Sequence, residues 1–220
     1  MGWDNSNMSN PNKSYKYEEK EIKLAAELLR SGGIVAYPTD TVYGLGADIF
    51  HENAVFRIYQ VKKRSLDLPL PVLLSSDMEL GLVARDISQL AYYYIEKFWP
   101  GALTLLLYKS KLVPDLVTAN TNKIALRIPN HSIPLTIIRE LGKPIIGTSA
   151  NISGQSNPLT NKEVESQLGG NIDLIIHGGR CTGIESTIID VTGEKPFIIR
   201  SGAISDVTIQ KAYQDYVNNL

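Results

Sequence analysis

Apolar residues recur every three or four positions in six segments of the chain, which is the spacing of a helix that covers a core with one face. In the first segment Ile22, Ala25 and Leu29 lie on roughly one stripe, and the two glycines at 32–33 end it. The predicted helices are residues 17–33, 52–64, 87–99, 133–142, 161–170 and 207–217.

Short apolar runs between these segments predict eight strands. They are residues 34–38, 71–76, 102–108, 123–129, 143–149, 172–177, 186–191 and 196–200. Helices and strands alternate along the chain, which is typical of an α/β domain. The last three strands have little helix between them, so we expect a single domain with a twisted sheet of mixed parallel and antiparallel strands, flanked by helices.

The bulk composition excludes several classes of protein. A length of 220 residues with 43% hydrophobic content suits one large domain. The net charge of −1 gives no overall basic field for nucleic acid. No apolar run approaches the roughly 20 residues of a membrane helix, so no membrane contact is expected. The single cysteine, Cys181, fits a reducing compartment, and the expected location is the cytoplasm.

The first 15 residues are polar and have no apolar core. They therefore do not form a secretory signal, and we expect a polar flexible tail at residues 1–15. The domain is then expected to span residues 16–220.

Polar residues gather where predicted strands end, and α/β proteins place ligands at such ends. The stretch PTDTVYGLGAD, residues 38–48, brings Thr39, Asp40 and Thr41 directly after a strand. A tight turn would use the same residues, so the pattern alone leaves both interpretations open. The stretch has neither the spacing of a P-loop nor that of a dinucleotide-binding loop.

Two cations, Lys62 and Arg64, end the second predicted helix, where Lys62 continues the spacing of Val55, Ile58 and Tyr59. Positive side chains are favourable at a helix C-terminus because the helix dipole is negative there. They would equally suit a polyphosphate, which an arginine fork and a lysine charge both bind.

Arg127 and Arg200 each end an apolar strand, where an arginine needs an anionic partner. For Arg127, a carboxylate of the protein and a carboxylate of a substrate both remain open.

Short polar side chains follow two further strands. Ser149 and Asn151 come after the apolar run at 144–146, and Ser186 lies in GIESTIIDV. A cap, a turn or a surface ion pair would explain each of them singly. The sequence shows no nucleophile triad and no HExxH or CxxC pair, so no metal site built by the protein is predicted.

Together these segments resemble the YrdC-like family of threonylcarbamoyl-AMP synthases. The similar stretches are GGIVAYPTDTVYGLGAD at 32–48, KKR at 62–64, WPGALTLLL at 99–107, ALRIPNH at 125–131, GTSANISG at 147–154, ESTIID at 185–190 and RSGAIS at 200–205. The family combines a Lys-x-Arg with a distant Ser-x-Asn, which here are Lys62 and Arg64 with Ser149 and Asn151. The resemblance implies an open concave cleft and the short form of the family with one domain.

The resemblance also implies a reaction in which L-threonine, bicarbonate and ATP give threonylcarbamoyl-AMP and pyrophosphate, with Mg²⁺ accompanying ATP. The product would pass to a separate tRNA threonylcarbamoyl transferase complex. The residues implied in catalysis are Lys62 and Arg64. Those implied in ATP binding are Lys62, Arg64, Asn151 and Arg200. Those implied in threonine binding are Thr39, Thr41, Arg127, Ser149 and Ser186.

The chain departs from the family pattern at Ser65, Leu68, Leu73 and Ser201. The departures at 68 and 73 fall on expected contacts with ATP and threonine. Two alternatives stay open. One is a module that binds tRNA or other RNA weakly through a local patch at residues 62–64, and the other is a paralogue with a different carbamoylation role.

Overall fold

Helices and strands alternate throughout the computed structural model, which describes the backbone of residues 11–219 and the side chains of residues 19–219. The helices are α1 (Pro11–Arg30), α2 (Glu52–Lys62), α3 (Leu80–Val83), α4 (Gln89–Phe98), α5 (Ser132–Leu141), α6 (Asn161–Leu168) and α7 (Asp206–Asn218), with a 3-10 turn at Asp77–Glu79. The strands are β1 (Val35–Tyr37), β2 (Gly44–Gly46), β3 (Val72–Leu73), β4 (Ala84–Arg85), β5 (Leu103–Lys109), β6 (Lys123–Arg127), β7 (Ile145–Ile146), β8 (Thr148–Ser149), β9 (Leu174–Ile175), β10 (Thr187–Asp190) and β11 (Phe197–Arg200).

Each of the six predicted helices and each of the eight predicted strand segments contains an element of the expected type. The sequence pattern missed β2, β4 and the short helix α3. The first helix begins at Pro11, so residues 11–15 of the expected tail are helical, and residues 1–10 lie outside the described residues.

The strands form two mixed sheets, whereas the sequence pattern predicted one. The larger sheet has the order β11-β10-β5-β6-β3-β7, with β4 paired to β5. The smaller has the order β8-β2-β1-β9. Each sheet contains both parallel and antiparallel pairs, which confirms the mixed character of the fold.

The smaller sheet contains β2 because two glycines make room for an aromatic ring. Tyr37 in β1 is fully buried and faces Gly44 in the register of the hairpin. A Cβ atom at Gly44 or at Gly46 would lie 2.7 Å from the Tyr37 ring. The Tyr37 hydroxyl then donates to the Ile146 carbonyl at 2.8 Å. Glycines that would normally weaken a strand therefore allow this one to pack closely.

The chain passes from the larger sheet to the smaller at Gly147, between β7 and β8. A Cβ atom at this position would lie 2.3 Å from Leu73 Cγ, so the crossover fits only a glycine without rearrangement. The Gly147 amide donates to the Pro71 carbonyl at 2.8 Å. This close approach explains why the apolar run at 144–146 stops at a glycine before the polar Thr148 and Ser149.

Two apolar clusters hold the sheets and helices together. The smaller packs Leu29 of α1 and Ile137 of α5 against Val35 of β1. The larger contains the inward side chains of both sheets together with those of α2, α4, α6 and α7. Among the helices of residues 11–219, none combines the length and the apolar character needed to cross a bilayer.

Candidate active site

A cleft of about 520 Å³ lies where the larger sheet faces the β1–β2 loop and β8. Its floor is a row of side chains from five neighbouring strands, fixed by the sheet register. The row is Arg200, Ile188, Thr104, Arg127 and Leu73, and all five line the cleft. Neighbouring strands are about 4.8 Å apart, so the backbones of Arg127 and Arg200, three strands apart, are separated by roughly 14 Å.

Arg127 is buried at one end of this row, and three groups of the chain hold its guanidinium. Its Nε donates to the Gly101 carbonyl at 2.8 Å and its Nη1 to Thr41 Oγ1 at 3.0 Å. Its Nη2 donates to Asp40 Oδ1. Burial lowers the pKa of Arg127, and the Asp40 carboxylate opposes that shift. The protein itself thus supplies a carboxylate partner, one of the two that the sequence left open.

Two threonine hydroxyls continue from Arg127 as a directed chain of hydrogen bonds. Thr39 Oγ1 donates to the Val42 carbonyl at 2.7 Å, which uses its single hydrogen. Thr41 Oγ1, 2.9 Å from Thr39 Oγ1, is therefore the donor of that pair, and it accepts from Arg127. Both hydroxyl hydrogens are thus used inside the protein. Thr39 fixes the Thr41 hydroxyl, and Thr41 holds Arg127 in place.

Arg200 at the other end of the row has a more exposed carboxylate partner. It pairs with Glu185 at 2.9 Å, and it donates to the Ser186 carbonyl at 2.8 Å and to the Ser186 hydroxyl at 3.2 Å. The Ser186 hydroxyl is also 2.8 Å from Thr104 Oγ1 on the floor. The backbone here is tight, because a Cβ atom at Gly202 would lie 2.5 Å from the Glu185 carbonyl oxygen.

Arg64 lines the cleft just after α2 and makes no ion pair within the described part of the chain. Its Nε and Nη2 donate to the carbonyls of Leu68 and Pro69 at 3.2 and 3.0 Å. Burial lowers the pKa of this guanidinium. The nearby Asp67 carboxylate partly opposes that shift in pKa. Because only carbonyl groups accept its hydrogen bonds, Arg64 is available to an anion in the cleft.

Lys62 lies behind the cleft wall, where its ammonium group has three acceptors. It donates to the Asn151 carbonyl at 2.8 Å, to Asn151 Oδ1 at 3.0 Å and to the Ser149 carbonyl. Burial, with a smaller effect of the Arg64 charge, lowers the pKa of Lys62 to about 7. Three acceptors match the three N–H donors of the protonated amine. We call Lys62, Ser149 and Asn151 the lysine clamp.

The lysine clamp uses every polar group of the Asn151 side chain. Its Oδ1 accepts from the Ser149 hydroxyl at 2.6 Å, and its Nδ2 donates to the Gln155 carbonyl at 2.7 Å. The Ser149 hydroxyl hydrogen is thereby used, so this residue of the cleft lining can offer a ligand only an acceptor from its side chain.

The structure gathers the residues that the sequence singled out, in two layers. Seven of them line the cleft: Thr39, Thr41, Arg64, Arg127, Ser149, Ser186 and Arg200. Lys62 and Asn151 lie directly behind, in the lysine clamp. Three functional candidates were not assigned a role from sequence: Asp40, Thr104 and Glu185. Thr104 was detectable as the single hydroxyl in the otherwise apolar run ALTLLL at 102–107, whereas the partner of Asp40 lies 87 positions away.

The four departures from the family pattern have different surroundings. Leu73 lines the cleft beside Arg127, so an apolar group stands at that end. The Leu68 side chain is exposed, and its carbonyl holds Arg64. Ser65 accepts a turn hydrogen bond through its carbonyl, and Ser201 donates to Asp206 on the surface.

Comparison with known proteins agrees with this architecture. The family model of the Sua5, YciO and YrdC proteins, described as telomere recombination, matches residues 27–202. The threonylcarbamoyl-AMP synthase of Pyrococcus abyssi is 42% identical over 197 residues, which are 89% of this chain and 58% of the relative. The protein of the same name from Bacillus subtilis is 39% identical over 194 residues, which are 87% of this chain and 56% of the relative.

A solved structure shows the same fold. The crystal structure of P. abyssi Sua5 complexed with L-threonine superposes with a TM-score of 0.86 at 42% identity, covering 89% of this chain and 57% of that one. The chain thus spans just over half the length of these curated relatives. Because the family model covers most of the chain and the P. abyssi relative shares its fold, the chain belongs to the Sua5/YciO/YrdC family.

Proposed function

We propose that this chain is an L-threonylcarbamoyladenylate synthase, a nucleotidyltransferase that condenses L-threonine, bicarbonate and ATP into threonylcarbamoyl-AMP and pyrophosphate. Two relatives of that name, at 42% and 39% identity, support the proposal. A family structure described as a complex with L-threonine supports an amino acid as one substrate.

The observation that carries the proposal is the placing of unlike cationic sites in one cleft. Arg127 is fixed in the interior and suits a small carboxylate, which its fork can bind through two N–H groups. Arg64 and Arg200 line the same cleft, and both suit phosphate oxygens. The backbones of Arg127 and Arg200 are roughly 14 Å apart, which leaves room for both substrates.

The proposed chemistry needs no nucleophile from the protein. The threonine amine combines with bicarbonate to give the carbamate N-carboxythreonine and water. A carbamate oxygen then attacks the α-phosphorus of ATP, and pyrophosphate leaves with the bonding electron pair. Negative charge develops on the phosphates, so the chain accelerates the step by positioning its substrates and by cationic stabilisation.

In this mechanism Arg127 binds the threonine carboxylate, and Thr39 and Thr41 hold the Arg127 side chain in position. Ser149 offers its oxygen as an acceptor to an N–H of the amino acid, and Ser186 faces the same substrate. Arg64 and Arg200 contact the triphosphate of ATP. The resemblance assigned Lys62 and Asn151 to ATP binding. In this mechanism they act on ATP indirectly, by keeping the cleft wall in position.

We further propose that Mg²⁺ enters with ATP. Within the described residues, no group of three or more His, Cys, Asp or Glu side chains could hold a metal ion. Mg²⁺ commonly binds nucleotide phosphates with only one or two protein carboxylates. Glu185 is a carboxylate that lines the cleft and could contact the ion.

The partners and the location follow from the proposed reaction. The product, a mixed anhydride, would be consumed by a transferase complex that modifies tRNA, and we propose that both steps take place in the cytoplasm. The RNA-binding alternative stays a prediction, but burial of Lys62 removes one of the three cations of its expected patch. The paralogue with a different carbamoylation role also remains a prediction.

A three-substrate assay tests the function. In buffers freed of carbon dioxide, purified protein with Mg²⁺ should release pyrophosphate only when ATP, L-threonine and added bicarbonate are all present. Release without threonine would contradict the proposal. Salt-sensitive tRNA binding without any pyrophosphate release would favour the RNA-binding alternative.

A further inference from the structure

The ion pair between Asp40 and Arg127 is the most enclosed of the pairs at the cleft. The two side chains are 17% and 8% exposed. Arg127 lines the cleft, whereas Asp40 stands behind it. The hydrogen bonds of Arg127 to Asp40, Thr41 and Gly101 use three of its five N–H groups. One N–H group remains on each terminal nitrogen of Arg127.

The other arginines of the cleft have their charges compensated differently. The Arg200–Glu185 pair is 37% and 39% exposed, so solvent screens it and Arg200 can exchange partners. Arg64 is held by carbonyl groups and forms no ion pair with a described carboxylate. The cleft therefore contains a neutralised, rigid arginine and another that has no ion-pair partner.

This difference between the two arginines discriminates between anions. A ligand on Arg127 also approaches the Asp40 carboxylate, and the repulsion between them grows in proportion to the charge of the ligand. A carboxylate carries one charge and matches the two remaining N–H groups. A polyphosphate carries several charges and has a more favourable site at Arg64.

We propose that Asp40 is the positioning and specificity residue of Arg127, which it fixes and neutralises so that this end of the cleft takes a carboxylate and rejects polyphosphate. Asp40 prevents the two substrates from binding in each other's place. The inference rests on the proposed function only in naming the carboxylate as that of the amino acid.

The test follows the arginine side chains by ¹H–¹⁵N NMR while the full chain is titrated with inorganic pyrophosphate or with L-threonine. The signal of Arg127 is assigned from its absence in Arg127→Lys. In the unmodified protein, pyrophosphate should shift the Arg64 signal and leave Arg127 unmoved, whereas threonine should shift Arg127. Asp40→Asn keeps the shape of the side chain but removes its charge. In this variant pyrophosphate should shift the Arg127 signal. Added pyrophosphate should also raise the apparent Kd of threonine at least about fivefold over its value without pyrophosphate.

Two comparisons make the result specific to Asp40. Asp215→Asn removes the carboxylate of an exposed ion pair on α7 and should leave the pattern unchanged. Asp40→Glu restores the charge and should restore most of the discrimination. A pyrophosphate-induced shift of Arg127 in the unmodified protein would overturn the inference, even if Asp40→Asn fails to fold. Failure of the three-substrate assay is a separate result, because these titrations need no turnover.

Discussion

Lys62 donates to Asn151 twice, to its backbone carbonyl at 2.8 Å and to its side-chain Oδ1 at 3.0 Å. With its third bond, to the Ser149 carbonyl, it ties the end of α2 to the segment after β8. Only 1% of Lys62 is exposed. The Lys-x-Arg and Ser-x-Asn pairs are therefore two halves of one wall, in which Arg64 faces the cleft and Lys62 faces the interior.

Replacing Lys62 by Met should lower turnover by more than tenfold because Ser149 and Asn151 lose their fixed positions. Global stability should change much less, since the loss of three hydrogen bonds is offset by removal of a buried charge. Steady-state pyrophosphate release gives the first quantity, and urea unfolding gives the second. Hydrogen exchange at the amides of Ala150 and Ile152 should quicken locally.

The neighbouring Lys63 provides the matched control for Lys62→Met. Lys63 is exposed and has a left-handed backbone (φ 49°), a conformation that glycine adopts without strain. Lys63→Gly should leave turnover within about twofold. Equal losses of turnover in the two variants would mean that general charge, and not the lysine clamp, matters.

The low pKa of Lys62, about 7, makes stability depend on pH in a defined direction. In the unfolded chain a lysine keeps its proton to about pH 10.4, so between pH 7 and 10 the unfolded state binds more protons. The free energy of unfolding should therefore rise with pH in the unmodified protein relative to Lys62→Met, by at most about 1.4 kcal/mol per pH unit. Urea unfolding of both proteins at pH 6.5, 7.5 and 8.5 measures this difference. If the difference in free energy of unfolding between the two proteins does not change with pH, Lys62 keeps its ordinary pKa.

The sequence contained part of this information. Lys62 continues the spacing of Val55, Ile58 and Tyr59 on α2, and all four are buried. That spacing predicts an inward-facing lysine, which the structure confirms, whereas a role of Lys62 toward phosphate stays a prediction. The acceptors that make the burial tolerable lie 87 and 89 positions away, and helical spacing cannot reveal them.

The same limit applies to the sheets. Periodicity located the apolar segments because each strand must bury one or both faces. It did not show that residues 143–149 cross from one sheet to the other, because the crossover depends on Leu73 packing onto Gly147. Nor did it show β2, whose glycines pack against a ring rather than contribute side chains of their own.

Gly147→Ala should destabilise the protein by about 1–3 kcal/mol because the new methyl group overlaps Leu73. The loss should shrink by about 1 kcal/mol or more when Leu73 is also changed to Ala, since the overlap is then removed. Urea unfolding of the two single variants and the double variant gives this coupling energy.

Gly81→Ala is the control for Gly147→Ala. Gly81 lies in α3, and a Cβ atom there would meet nothing within 4 Å. This change should be neutral or stabilise by up to about 1 kcal/mol. Independent, additive effects of Gly147→Ala and Leu73→Ala would contradict the proposed packing.

Arg64→Ala should raise the KM for ATP at least about tenfold and leave the KM for threonine within about twofold, because Arg64 is the cleft arginine that forms no ion pair with a described carboxylate. Arg64→Lys should recover only part of the loss, since a lysine keeps the charge without the planar fork. Steady-state kinetics with each substrate varied in turn measures both constants.

Arg180→Ala, which removes an exposed arginine 3.7 Å from Glu163, is the matched control and should change neither KM. A rise in the KM for threonine in Arg64→Ala, with that for ATP unchanged, would reverse the assignment of the two ends of the cleft.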